Sequence, residues 1–232
     1  MKNLFIAAIA ALGMSSTTFA ADEMVIDQSR FSWAGSYMGA QFGYLGIEDD
    51  FLDPDFGAPN PTIGTASDDS IALGLFLGRN WQKEDVVFGL EADLMLTNGD
   101  AIGQADPTFG VFGRAELDWQ ASLRARLGIL KNDALFFVTG GLAVADVEYD
   151  YAFPGPFFGF GDQFSETATG YTLGGGVEWS INESVTAKFE YRYSDYGSAE
   201  HTISNCCAPP PASQKHELTT NAVNFGILKK LN

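Results

Sequence analysis

Trp119-Gln120-Ala121-Ser122-Leu123-Arg124-Ala125-Arg126-Leu127-Gly128-Ile129 alternates without a break. Trp119, Ala121, Leu123, Ala125, Leu127 and Ile129 share one side, and Gln120, Ser122, Arg124, Arg126 and Gly128 share the other. A period of two belongs to a β-strand, whose successive side chains point to opposite faces. Two later segments repeat the pattern. Tyr171, Leu173, Gly175, Val177, Trp179 and Ile181 oppose Thr172, Gly174, Gly176, Glu178 and Ser180. Val185, Ala187, Phe189, Tyr191 and Tyr193 oppose Thr186, Lys188, Glu190, Arg192 and Ser194.

Working outward, eight segments read as strands: 36–44, 70–81, 86–96, 117–130, 134–149, 168–181, 185–196 and 219–230. Most match the roughly 9–11 residues that a tilted strand needs to cross hydrocarbon. The connections at 82–85, 131–133 and 182–184 are tight, while those at 45–69, 97–116, 150–167 and 197–218 are long. Short turns at one end and long loops at the other are the asymmetry of a bacterial outer-membrane barrel. The fold expected is all-β, a transmembrane eight-stranded antiparallel up-and-down β-barrel.

A soluble β-sandwich shows the same period, with the apolar face as its core. Aromatic placement argues for the membrane. Tyr171 and Trp179 lie eight residues apart on one apolar face, about 20 Å along a tilted barrel axis, which is close to the separation of two interfacial girdles. Trp81 and Trp179 are then expected near the short-turn rim, and Tyr44, Trp119, Tyr149 and Tyr193 near the long-loop rim.

The chain opens with Lys2, an apolar run from Leu4 to Met14, and Thr18-Phe19-Ala20. These features describe a secretory signal peptide cleaved after Ala20, because the run is shorter than the roughly 20 residues of a spanning helix. The expected organisation is a signal peptide at 1–20, a periplasmic segment at 21–34, and one barrel domain at 35–232. Loss of the leader leaves 12 Lys+Arg against 30 Asp+Glu. An excess of acid makes nucleic acid an improbable partner, since phosphate binding needs the opposite sign.

Inside an eight-stranded barrel there is room for side chains and little more. Parity turns Glu91, Asp93, Arg124, Arg126, Glu178, Lys188, Glu190 and Arg192 inward, four acids and four bases. Enclosed charges are costly unless paired, and equal numbers allow pairing. The expectation is an ion-pair network that plugs the lumen; the alternative is a set of separately hydrated charges lining a small channel. Catalysis by the same carboxylates would need a substrate path that a plugged lumen denies.

The long connections carry three compositions. Leu45 to Asp69 holds seven acids and no base, and reads as a solvated acidic surface, since their spacing is not that of a calcium loop. Phe153, Phe157, Phe158 and Phe160 stand among prolines and glycines and are candidates for surface contact. Cys206-Cys207 is a candidate vicinal disulfide, with an interchain bond or free thiols as alternatives. Zinc held by these thiols with His201 and His216 matches no familiar spacing. Gly174-Gly175-Gly176 lacks a strand-to-helix context and suits a crowded lumen instead. Walker, G-x-S-x-G and H-E-x-x-H motifs are absent from the sequence.

Trp33-Ala34-Gly35-Ser36-Tyr37-Met38-Gly39-Ala40-Gln41-Phe42-Gly43-Tyr44 resembles the opening strand of the small outer-membrane β-barrel surface proteins of alphaproteobacteria. Leu135-Phe136-Phe137-Val138-Thr139-Gly140-Gly141-Leu142-Ala143, the stretch 171–179 and Phe189-Glu190-Tyr191-Arg192-Tyr193 resemble that family's fifth, sixth and seventh strands. The resemblance implies a porin-like barrel with outward loops, serving envelope integrity and surface interaction, without cofactor or catalysis. Its partners would be outer-membrane lipid and lipopolysaccharide, the barrel-assembly machinery, and a host or envelope surface partner. The alternatives are a small-solute channel and a lipid-modifying outer-membrane enzyme. One departure is the ending Lys229-Lys230-Leu231-Asn232, where the family usually closes on an aromatic residue.

Overall fold

A computed structural model describes residues 31–52, 62–106, 111–152, 161–203 and 212–231. Eight strands follow one another: β1 (Gly35–Leu52), β2 (Thr62–Lys83), β3 (Val86–Asp106), β4 (Val111–Lys131), β5 (Ala134–Ala152), β6 (Gly161–Ser180), β7 (Val185–Ile203) and β8 (Ala212–Leu231). Each pairs antiparallel with the next, and β8 returns to β1 to close the barrel. The closing ladder runs from Ser36↔Leu231 to Leu52↔Lys215. No described helix is long and apolar enough to cross a membrane.

The tight connections are built by local chemistry. Glu84 (φ 54°) and Asn132 (φ 56°) occupy the left-handed region in the two short β-turns. The backbone carbonyl of Glu84 accepts a bond from Gln82 Nε2 at 2.9 Å. At the third turn Asn182 Oδ1 accepts from the amides of Ser184 and Val185, both at 3.0 Å.

The strands are 18 to 22 residues long, about twice the length a membrane crossing needs. At about 3.3 Å per residue and roughly 40° of tilt, 20 residues climb about 50 Å, whereas the lipid-facing band of such barrels is about 25 Å tall. The four long loops expected from the sequence are therefore largely strand, and the barrel continues well beyond the membrane. The acidic span 45–69 shows the change in one residue after another. Leu45–Leu52 belongs to β1 and 62–69 to β2, with Asp49 turned inward and fully buried.

Within the membrane half the outward face is apolar: Phe42, Leu73, Leu90, Leu127, Val138, Leu173 and Ile227 are all exposed. Above Tyr44 the polarity of the two faces inverts while their direction persists. Glu48 points out, and Leu45, Ile47 and Phe51 point in. The inner face there forms an apolar core in which Leu117, Val147, Tyr149, Tyr196 and Leu218 join those three. The change of solvent explains the inversion: hydrocarbon surrounds the lower wall, water the upper. Bulges gather near this level, at Leu96/Gly99, Leu117/Trp119 and Asp195/Ser198, the last with Gly197 at φ 70°.

The aromatic collar is mostly outward. Tyr44, Trp81, Tyr171 and Trp179 are exposed, and Trp119 and Tyr193 are half-buried. Tyr149, expected at the outer rim, faces inward instead. β5 runs without a bulge against β6, so its odd positions from Leu135 to Tyr149 all face inward, and Tyr149 is 1% exposed. Its ring stacks on Phe164 with centroids 5.0 Å apart.

Candidate functional site, the ion network of the lumen

The register that closes the barrel also sets the interior. Glu91 lies opposite Arg124 on the β3–β4 ladder, and Glu178 lies opposite Lys188 on β6–β7. Gly176 faces Glu190 across that same ladder, and Gly174 faces Arg192. A Cβ on Gly174 would stand 2.7 Å from Thr139 Oγ1 and 3.0 Å from Glu190 Oε1. The missing side chain leaves the space in which Glu190 meets its partners.

All eight charged residues fall into one connected set. Arg124 Nη2 bonds Glu91 Oε1 at 2.6 Å, and its Nη1 bonds Glu190 Oε1. Arg126 Nη2 reaches Glu178 Oε1 at 2.9 Å, while its Nη1 lies 3.5 Å from Glu91 Oε2. Lys188 Nζ sits 3.1 Å from Glu91 Oε1 and 3.7 Å from Glu190 Oε2. Arg192 holds Asp93 Oδ2 at 2.8 Å and Glu190 Oε2 at 3.0 Å. Every one of these side chains is at most 4% exposed. Four charges of each sign in a closed space leave no net charge to be neutralised by water or counter-ions.

Hydroxyl groups and rings that the sequence did not single out complete the set. The Tyr37 hydroxyl donates to Glu91 Oε2 at 2.8 Å and accepts from Arg126 Nη1 at 2.9 Å. Thr139 Oγ1 accepts from Arg124 Nη1 and donates to Glu190 Oε1, both at 3.2 Å. Ser122 donates to Asp93. The Arg126 guanidinium lies 4.6 Å from the Phe137 ring centre and Lys188 Nζ 3.8 Å from that of Phe76, so the cations gain ring contacts as well as anions.

The barrel is stoppered at each end of this network. At the short-turn end Trp33 is buried against Val87 and Leu135, and its amide donates to Gln82 Oε1 at 2.9 Å. Lys230 Nζ donates to the carbonyl of Ser32 at 2.7 Å. At the other end stands the apolar core, which encloses polar pairs: His216 Nδ1 lies 2.9 Å from Asp49 Oδ2, and the Tyr196 hydroxyl donates to Gln120 Oε1 at 2.6 Å. Burial pushes the Asp49 carboxyl up, against the opposing pull of His216. On the outer wall Arg114 is held 2.5 Å from Asp100 Oδ1, and this hydrogen bond draws the Asp100 carboxyl down.

His216 was expected in a loop beside His201. It is a residue of β8 that faces inward, with Tyr149 (ring centroids 4.3 Å apart) and Phe51 (5.1 Å) about it. The side chain of His201 lies outside the described residues, as do Phe153, Phe157, Phe158, Phe160, Cys206, Cys207 and residues 1–30. Among the described residues no group of three or more His, Cys, Asp or Glu could hold a metal ion.

Comparison with known proteins agrees with this architecture. A family model described as an outer membrane protein β-barrel domain matches residues 6–228. The 31 kDa outer-membrane immunogenic protein of Brucella melitensis biotype 1 is 33% identical over 223 residues, covering 85% of this chain and 88% of that protein. The 22 kDa outer membrane protein of Rhizobium leguminosarum bv. viciae is 30% identical over 200 residues, covering 84% and 77%. Among solved structures, the outer membrane protein OprG of Pseudomonas aeruginosa superimposes with a TM-score of 0.52 at 12% identity, covering 87% of this chain and 100% of that one, which is a likeness of fold alone. The apolar belt, the enclosed charges and these relatives lead to one statement: the chain belongs to the outer membrane protein β-barrel domain family and is a protein of the Gram-negative outer membrane.

Proposed function

We propose that this protein is a non-conducting, non-enzymatic structural barrel that supports the envelope and presents a tall outer wall for surface interaction. The observation that carries the reading is the ion network, in which charges from β3, β4, β6 and β7 meet across the middle of the lumen and pair with one another. A channel would need some of that space for water, and here guanidinium and carboxylate groups are in direct contact. The apolar core above and Trp33 below add two further closures. Catalysis finds little support at the same place, because a buried and mutually neutralised set of acids and bases offers no approach to a substrate.

Its immediate surroundings would be lipid and lipopolysaccharide, reached by the exposed apolar belt, with delivery through the barrel-assembly machinery. A host or envelope surface partner would meet the strand extensions above the bilayer. Planar-bilayer recording on purified protein tests the reading. The expected result is an absence of stable unitary currents, and large, long-lived openings would refute it.

A further inference from the structure

The barrel wall is not uniform. β6 and β7 pair from Tyr171↔Asp195 down to Ser180↔Thr186, and their ladder goes no higher. The other edge of each strand stays paired to its end, β6 with β5 up to Ala152↔Gly161 and β7 with β8 up to Ile203↔Ala212. Above the bulge at Asp195/Ser198, two strand edges therefore face one another without a shared ladder. A second observation marks the same place. Glu166 has the inward parity of Glu178 and Thr172 and lies directly across from Val147, yet Val147 is 1% exposed and Glu166 is solvent-exposed. Ala168, an inward position just above the last rung, is still buried, and Gly170 lies tight against the backbone of Asp195 and Tyr196, so water reaches the inner face of β6 at Glu166, above that level.

We propose that this notch is a strand-addition site, taking an extended segment of a partner protein that carries Lys or Arg at alternate positions. An unpaired strand edge offers a row of amides and carbonyls that a second chain satisfies. The chemistry of the occupant follows from charge. Glu166 and Glu200 stand exposed on the two strands beside the notch, and neither is in an ion pair with a described residue. Because side chains of an added strand alternate, one set of basic residues would meet Glu166 on the inner side while the other meets Glu200 outside. The proposal rests on the reading that the upper wall stands clear of the membrane, and it does not depend on whether the lumen conducts.

The test uses the full protein in lipid nanodiscs and a labelled ten-residue peptide alternating Lys with Thr or Val, followed by fluorescence anisotropy. Binding is expected, together with protection of residues 163–169 from amide hydrogen exchange. The same peptide N-methylated on alternate residues keeps its charge and loses one hydrogen-bonding edge, and it should bind about tenfold weaker or worse. Glu166→Gln and Glu200→Gln should each weaken binding about two- to fivefold, more at low salt, whereas Glu48→Gln on β1 should change nothing. Equal binding by the methylated peptide or by a Glu-for-Lys peptide would overturn the proposal, as would unchanged exchange at 163–169. A dimer of this chain that protects the same edge and resists the peptide would assign the notch to a second copy and overturn it too. Failure of this kind leaves the bilayer recordings untouched, so it is distinguishable from failure of the plug.

Discussion

Replacing Arg124 by alanine removes the cation that touches Glu91 at 2.6 Å, Glu190 directly, Asp93 at 3.4 Å and Thr139 at 3.2 Å. Four acids then face three bases, on side chains that are at most 4% exposed. Breaking a buried pair by deleting one partner costs about 3–5 kcal/mol, mostly because the remaining charge stays buried. Glu91 keeps Lys188 and Arg126, and Glu190 keeps Arg192 and Lys188, so the lower end of that range applies. With a urea slope of about 2–3 kcal/mol/M, the unfolding midpoint should fall by about 1–2 M. Tryptophan fluorescence in lipid vesicles, with heat-dependent gel mobility as a second probe, measures the shift. The double variant Arg124→Ala/Glu190→Gln restores charge balance and should recover about 1–3 kcal/mol relative to additivity. A loss below about 1 kcal/mol in the single variant, with no coupling in the double, would mean that water already solvates these groups and would refute the plug.

Tyr149→Ala should cost about 3–5 kcal/mol, because a large, 1%-exposed ring leaves a cavity in the outer core, while Tyr193→Ala on the outward face should cost far less; the same urea titration compares them. Gly176→Ala should sharply reduce the yield of folded barrel, since its Cβ would lie 2.0 Å from the Phe189 carbonyl oxygen, whereas Gly175→Ala should be tolerated with its nearest neighbour 3.4 Å away; gel mobility without boiling reads both. Asp49 carries a raised carboxyl, so its contribution is fully present below the ordinary carboxylate value of about 3.9 and is lost as pH rises through its folded value; Asp49→Asn should remove that decline from a pH series of melting temperatures. Asp100 has the opposite sign, its stabilisation by Arg114 being present above the unfolded value and lost as pH falls through the depressed folded one; Asp100→Asn should flatten a small acid-side loss, small because both side chains are more than a third exposed.

The strands of the membrane half were legible because lipid and lumen impose opposite demands on adjacent residues, as in Leu123-Arg124-Ala125-Arg126-Leu127. Their upper halves were not. Ile47-Glu48-Asp49-Asp50-Phe51 still alternates in direction, but with Ile47 and Phe51 inside beside Asp49 and with Glu48 outside, and the density of acids reads as a loop when the outer solvent is assumed to be lipid. Tyr149 was misplaced for the same reason, judged by its nearness to the rim and not by its parity on β5. The charged members of the lumen stood out because charge at membrane depth is rare. Tyr37, Ser122 and Thr139 did not, since a hydroxyl or phenol is unremarkable in a half-polar strand. Asp49 and His216 are 167 positions apart and meet only once β8 has closed on β1, so no local pattern could pair them.

The inner face of β1 stays enclosed from Tyr37 to Phe51 while the medium outside changes from hydrocarbon to water above Tyr44. A cysteine scan of β1 on a Cys206→Ser/Cys207→Ser background, carrying nitroxide labels in bilayers, measures this position by position. Oxygen should reach Met38, Phe42 and Tyr44, a water-soluble nickel chelate should reach Glu48 and Asp50, and Gln41, Leu45 and Ile47 should answer to neither. Access of the chelate to Gln41 and Leu45, with Phe42 shielded from oxygen, would contradict the account.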